Sequence, residues 1–344
     1  MSEFADTLIA WQRRHGRHDL PWQRTREPYR VWLSEIMLQQ TQVDTVIPYY
    51  ARFLERFPDV ASLAAAPLDA VLGLWSGLGY YARARNLHRA ARLVVEEHGG
   101  KFPRTAAQLA TLPGVGRSTA AAIASFCFGE RAAILDGNVK RVLCRHFAIE
   151  GFPGERAIEQ KLWALAESLL PAHKIEAYPQ ALMDLGATLC TRGKPRCTDC
   201  PVQQTCLARQ AGRQADLPTP RPKKTVPQRV CGVLLVKAGR VWLLEQRPAI
   251  GVWGGLYSLP ELAAGETAEA CALRRLGLAG LTFAAGEALR HSFTHFTLTI
   301  TPWLTELAAV PIQAMEPGLR WVGAEEIAML GLPAPIRRII ARER

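Results

Sequence analysis

Through residues 1–209, apolar positions recur three and four apart, the spacing that gathers them on one face of a helix. Phe4, Leu8, Ile9 and Trp11 predict a short amphipathic helix over 4–15, and LPWQRTREPYR, punctuated by Pro21 and Pro28, a loop pinned by Trp22 and Tyr29. Trp32, Leu33, Ile36, Met37, Val43 and Ile47 form the stripe of one helix that runs until Pro58. LAAAPLDAVLGLW, the Ala-rich run Thr119–Phe128, VKRVLCRHFAIEG, PGERAIEQKLWALAESLLP and AYPQALMDLGATLC read as further helices, and no strand pattern precedes about residue 229. There the grammar changes. VCGVLLVKAGRVWLLEQRP predicts a β-hairpin turning at Gly239, and LTFAAGEALRHSFTHFTLTITPWLTEL alternates over two strand-like runs. ETAEACALRRLGL and GAEEIAMLGLPAPIRRIIARER look helical. Residues 210–228, with four prolines and several charges, read as a linker. The pattern is an all-α region followed by a smaller α/β or α+β domain.

The 344 residues suffice for two cores, and a net charge of +11 favours a polyanionic partner. No apolar run approaches the roughly 20 residues of a membrane helix, and the opening MSEFADTLIAWQRRHGRHDL has early acids and no apolar core, so it is not a secretory signal. The expected compartment is the cytoplasm, where thiols are free or bind metal. Cys127, Cys144, Cys231 and Cys271 read as small packed residues. Cys190, Cys197, Cys200 and Cys206, spaced C-x6-C-x2-C-x5-C, can surround one metal centre. Zinc sites come as two close cysteine pairs. Here one pair is close and the arms are wide, which favours a [4Fe–4S] cluster and leaves zinc as the alternative. Arg192, Lys194, Arg196 and Arg209 make that loop a basic finger suited to DNA phosphates.

Candidate chemistry centres on LPGVGRSTAAAIASFCFGERAAILDGN, residues 112–138. Gly114 and Gly116 let backbone approach a ligand, amides at a helix start favour a phosphate, and Asp136 brings an acid beside that grip. Upstream, Glu35, Gln39 and Gln42 fall at i, i+4 and i+7, a face of amides and one acid suited to reading or wedging between bases. GLGYYARARNLHR offers Tyr80 and Tyr81 for stacking and Arg83, Arg85 and Arg89 for phosphates, with one of the two tyrosines expected in the core.

LPGVGRSTA followed by LDGNVKRV resembles the helix–hairpin–helix DNA glycosylase superfamily, and the four-cysteine loop resembles its iron–sulfur branch. LPW, WLSEIMLQQTQV, GLGYYARARNL, MDLGATLCTRGKPRC and a strand-rich C-terminal domain extend the likeness over almost the whole chain, to the adenine-removing members. The resemblance implies an all-α helix–hairpin–helix glycosylase core over 1–209. A six-helix subdomain would span about 28–135, with the hairpin at 109–128, and an iron–sulfur subdomain would combine 1–27 with 136–209. A Nudix-like α+β domain over 229–344 would read the lesion.

The implied activity is base excision of adenine mispaired with 8-oxoguanine or guanine, after the target leaves the stack. The implied partner is therefore double-stranded DNA holding such mispairs, bound by a monomer with no membrane association; replication or repair proteins are further partners of unassigned identity. By the resemblance Glu35 protonates the departing adenine and helps activate water, Asp136 stabilises the cationic sugar and Asn138 orients the catalytic groups. Trp32, Ile36 and Leu38 would supply the apolar surroundings that raise the Glu35 pKa. Bifunctional relatives of the endonuclease III type, the alternative reading, carry a lysine where this chain has Ser118, so strand cleavage through a Schiff base should be absent or weak, and Ser118 is expected, with Gly114 and Gly116, among the DNA contacts. Gln40 and Tyr80 match wedge residues, and Phe293, Thr294 and His295 match a Phe-Ser-His lesion-reading loop, with Thr294 in place of serine. Gly255 and Glu261 begin a Nudix metal box, but EACALRRLGL replaces its acidic helix, so nucleotide hydrolysis is not expected.

Overall fold

The computed structural model describes residues 3–222, 225–311 and 315–343. Among the described residues twelve α-helices precede the first strand: α1 (Glu3–His15), α2 (Pro28–Leu38), α3 (Val43–Arg56), α4 (Val60–Ala65), α5 (Leu68–Trp75), α6 (Ala82–His98), α7 (Ala106–Leu109), α8 (Arg117–Phe128), α9 (Gly137–His146), α10 (Arg156–Ser168), α11 (Ala177–Asp184) and α12 (Leu207–Gln210). The chain divides into two compact units, Met1–Ala65 with Asn86–Lys223, and Ala66–Arg85 with Lys224–Arg344.

In the first unit, α2 packs on α8. The alanines Ala120, Ala121, Ala122 and Ala124 of α8 are all buried, so a high-propensity helix also presents the small surface that close approach needs. Gly129 stops α8 in the left-handed conformation (φ 69°) and donates its N–H to the carbonyls of Ala124 and Ser125. A second apolar cluster joins α1 to α9, α10 and α11 through Leu8, Ile9, Val142, Leu143, Leu162 and Leu182. After α11 the chain makes one wide turn over Leu185–Leu189, in which the Cys190 N–H donates to Leu185 O (2.7 Å). Gly186 lies in that turn because a Cβ there would sit 2.6 Å from Asn138 Cβ.

The second unit is built on a sheet of β1 (Gln228–Ala238), β2 (Val241–Gln246), β3 (Tyr257–Ser258), β4 (Ala284–Ala285), β5 (Leu289–Ser292), β6 (Thr297–Glu306) and β7 (Leu319–Gly323). β1 and β6 run parallel from Gln228↔Thr297 to Lys237↔Glu306, and the expected hairpin joins β1 to antiparallel β2 around Gly239. One apolar cluster includes Ile336, Ile339 and Ile340 of α15 (Ala334–Arg342), which follows α14 (Ala324–Met329); another takes Ala268, Cys271 and Leu276 of α13 (Ala268–Leu276). Among the described residues no helix is long and apolar enough to cross a membrane.

Four expectations change. Residues 66–85, expected inside the helical region, pack with the C-terminal unit: Tyr81 donates to Leu332 O (3.1 Å), and a Cβ on Gly73 would collide with Met329 O. LAAAPLDAVLGLW is two helices, because Pro67 breaks it. The expected helix to Pro58 is interrupted between Leu38 and Val43, where Gln40 takes φ 59°. The linker is shorter than 210–228: Leu217 is buried, Arg145 donates to its carbonyl (2.8 Å), and Gly151 N–H reaches Thr219 Oγ1 (3.1 Å), so the chain is fastened to the helical unit as far as residue 219.

Candidate active site

Glu35 and Asp136, about a hundred positions apart in the chain, come near enough inside the helical unit for the charge of Asp136 to act on Glu35. Glu35 rides on α2, which starts at Pro28 with the Glu27 carboxylate accepting from the N–H groups of Tyr29 and Arg30. Its half-buried carboxyl faces a cavity of about 240 Å³ walled also by Arg17, Trp22, Ser34, Gln180 and Met183. Trp32 and Ile36, which flank it, are fully buried. Burial, and then the negative charge of Asp136, push the Glu35 pKa up to about 8, so it carries a proton at neutral pH.

Asp136 is the N-cap of α9. Its Oδ1 accepts from Val139 N–H (2.8 Å) and its Oδ2 from Asn138 Nδ2 (3.3 Å). Burial leaves its pKa raised overall, although these bonds and the Arg141 guanidinium act to lower it. Glu35 has no comparable donors among the described residues, so the charge of the pair resides on Asp136 and the proton on Glu35. Arg141 fixes Asn138 in turn, donating to its Oδ1 (2.7 Å), to Gly186 O (2.6 Å) and to Cys190 O (2.7 Å).

The hairpin grip is formed. Gly114 has φ 80°, and a Cβ there would meet Asn86 Cβ at 2.8 Å; Gly116 caps α8 with open space beside it. Gln39 supports the turn from α2, donating to Gly114 O (3.3 Å) and Thr119 Oγ1 (3.4 Å). Ser118, expected among the DNA contacts, turns inward: its hydroxyl accepts from Leu135 N–H (2.9 Å) and anchors the residue before Asp136. Gln42 is exposed as the N-cap of α3, but the interruption of the helix between Leu38 and Val43 removes the single helical face expected for Glu35, Gln39 and Gln42.

Asp184 carried no sequence signal beyond its place in MDLG. Wholly buried, it accepts from Arg17 N–H (3.0 Å), Arg17 Nε (2.7 Å) and Gln180 Nε2 (2.9 Å), and so orients two side chains of the Glu35 cavity. Arg141 and Arg145 were likewise overlooked, although their i, i+4 spacing on α9 places both on one face.

Cys190, Cys197, Cys200 and Cys206 line one cavity. The buried Arg145 donates to Cys190 Sγ (3.5 Å), Thr191 O (2.7 Å) and Arg192 O (3.1 Å), and Gln214 Nε2 approaches Cys197 Sγ at 3.9 Å. Burial pushes the Cys200 thiol up to about 11 and raises Cys206, a setting in which thiolates need a cation to hold them ionised. Among the described residues no three His, Cys, Asp or Glu side chains close on a single ion position. Four cysteines around one cavity are a donor set of the kind an iron–sulfur cluster uses. Arg192, Lys194 and Arg196 are exposed beside it, and Arg209 is half-buried.

In the second unit, Tyr80 is 47% exposed with φ 49°, whereas Tyr81 is buried, as expected for one of the pair. Gln40 and Tyr80 are thus both exposed non-glycine residues in the left-handed region, a strain that collects at functional positions. Arg83, expected on DNA phosphates, is buried instead and donates to Leu78 O (3.3 Å) and Gly79 O (3.2 Å). Thr294 and His295 are exposed at the β5–β6 turn, and Phe293 stacks on Phe296 with ring centroids 4.4 Å apart. These three residues, with Tyr80, Trp253 and His291, line a cavity of about 640 Å³. The degraded metal box holds arginine pairs: Arg247 joins Glu245 (3.0 Å) and Glu261 (2.5 Å), and Arg275 joins Glu245 (2.5 Å) and Glu316 (2.6 Å).

Residues 33–168 match the model of the HhH-GPD superfamily of base excision DNA repair proteins, and residues 230–342 match the NUDIX domain. The adenine DNA glycosylase of Buchnera aphidicola (strain APS) is 37% identical over 98% of this chain and 96% of its own. The human adenine DNA glycosylase is 35% identical over 98% of this chain and 73% of its own. Among solved structures, a thermostable thymine-DNA glycosylase superposes with a TM-score of 0.56 at 31% identity, covering 60% of this chain and 95% of that one. An endonuclease III from a DNA complex shares the fold, with a TM-score of 0.52 at 22% identity over 61% of this chain and 94% of its own.

Proposed function

Because the chain belongs to the adenine DNA glycosylases of the helix–hairpin–helix base excision repair superfamily, we propose that it hydrolyses the N-glycosidic bond of adenine mispaired with 8-oxoguanine or guanine in duplex DNA, without cutting the strand. The observation that carries this reading is Glu35, held protonated on the wall of a base-sized cavity beside the charged Asp136. Glu35 gives its proton to a ring nitrogen of the flipped adenine as the C1′–N9 bond breaks. Asp136 faces the positive charge that develops on the sugar, and Asn138 and Arg141 keep it aimed. Water then adds to C1′ and its proton passes to the Glu35 carboxylate, which restores the acid.

Gly114 and Gly116 hold a phosphate at the start of α8. Gln40, Gln42 and Tyr80 engage the opened duplex, and Phe293, Thr294 and His295 read the base opposite adenine. Cys190, Cys197, Cys200 and Cys206 would hold a [4Fe–4S] cluster, a group that cross-links its loop and is redox-active when bound. The endonuclease III-type alternative is not favoured, because Ser118 has no amine and its hydroxyl is bonded to Leu135 N–H.

A duplex with one adenine opposite 8-oxoguanine tests the reading. Free adenine should appear, strand breaks should follow only after alkali, and Glu35→Gln should abolish release. Strand scission at the rate of base release, or no adenine at all, would refute it.

A further inference from the structure

Tyr80 stands on a turn with three left-handed residues among four: Gly77 at φ 106°, Gly79 at φ 73° and Tyr80 itself at φ 49°. A tyrosine in that region is strained, and the strain persists only where the surroundings over-determine the conformation. Two side chains, Arg83 and Trp75, brace this turn. The Arg83 guanidinium lies 5.3 Å from the Trp75 ring centroid and 5.5 Å from that of Tyr80. From there it donates to the carbonyls of Leu78 and Gly79, while its own N–H donates to Tyr80 O (2.8 Å). Trp75 Nε1 closes the other side of the turn on Gly79 O (3.0 Å). With 9% of its surface accessible, Arg83 has little left to offer a phosphate.

We infer that Arg83 is a positioning residue, a planar clamp that keeps the Tyr80 ring presented to DNA and thereby sets how tightly the lesion-bearing duplex is held. The inference rests on the glycosylase reading and on Tyr80 as a wedge. Lysine keeps the charge but lacks the flat fork that contacts two rings and two carbonyls together, so Arg83→Lys should release the turn.

The test is a double-mutant cycle on Kd for a duplex carrying a non-hydrolysable 2′-fluoro-adenosine opposite 8-oxoguanine, using the full chain. Tyr80→Ala should weaken binding about tenfold, the worth of one lost stacking partner, and Arg83→Lys by a similar factor. The double variant should be no weaker than Tyr80→Ala alone. Arg83→Gln is carried in parallel, and thermal melting checks that each variant folds. If the two losses multiply, Arg83 does not act through Tyr80 and the inference fails while the wedge stands. If Tyr80→Ala binds like wild type, the wedge and the clamp fall together, whatever the rate of adenine release.

Discussion

Holding Glu35 protonated opposes folding, and that opposition is measurable. The unfolded chain releases the Glu35 proton near the ordinary value of 4.5, whereas the folded chain keeps it up to about 8. Between those values the folded state binds the extra proton, so wild-type stability falls as pH rises through this window and levels off above it. Each pH unit is worth about 1.4 kcal/mol, which gives about 3 kcal/mol by pH 7 and about 5 above pH 8. Glu35→Gln keeps the shape and cannot ionise. It should match wild type near pH 4.5 and exceed it at neutral pH by about 3 kcal/mol, roughly 6–12 °C in the melting temperature of the helical unit. Thermal unfolding of both proteins across pH 5–9 reads this directly. A gap in melting temperature that stays constant with pH would refute the claim that burial and Asp136 hold the proton on Glu35.

Gly186→Ala forces a Cβ to 2.6 Å from Asn138 Cβ, so it should destabilise the helical unit by about 1–3 kcal/mol and slow adenine release, checked by melting and single-turnover kinetics. Ser118→Ala removes the acceptor of Leu135 N–H; stability should drop by about 1–3 kcal/mol, and release should slow because the residue before Asp136 is freed, without any gain of strand scission. Cys200→Ser removes one of the four sulfurs around the loop cavity; iron and sulfide bound per chain should fall, and the loop at 190–206 should become protease-sensitive where wild type resists.

Long-period features were legible in the chain. Apolar spacing located most helices, the change near residue 229 marked the second fold, and the hairpin glycines and cysteine spacing marked two sites. What escaped was decided by contacts across sequence. Nothing in the stripe from Trp32 to Ile47 announces the break at Gln39–Gln42, because the apolar period passes through it without a glycine or proline. Arg83 read as one of three arginines offered to phosphates, and only the fold places it beside the rings of Trp75 and Tyr80. Residues 66–85 are helical in pattern, yet their partner surface comes from Gly254, Met329 and Leu332, far along the chain. Asp184, Arg141 and Arg145 have no local signature, since their work is to hold segments remote in sequence.

The central claim is that a protonated Glu35 and an ionised Asp136 together release adenine. The measurement closest to it is the single-turnover rate of adenine release, at saturating enzyme, across pH 5–10. The rate should hold steady towards neutrality and fall about tenfold per pH unit above about 8, as Glu35 loses its proton. A rate that stays flat or climbs through pH 9.5 would contradict the role of Glu35 as the acid.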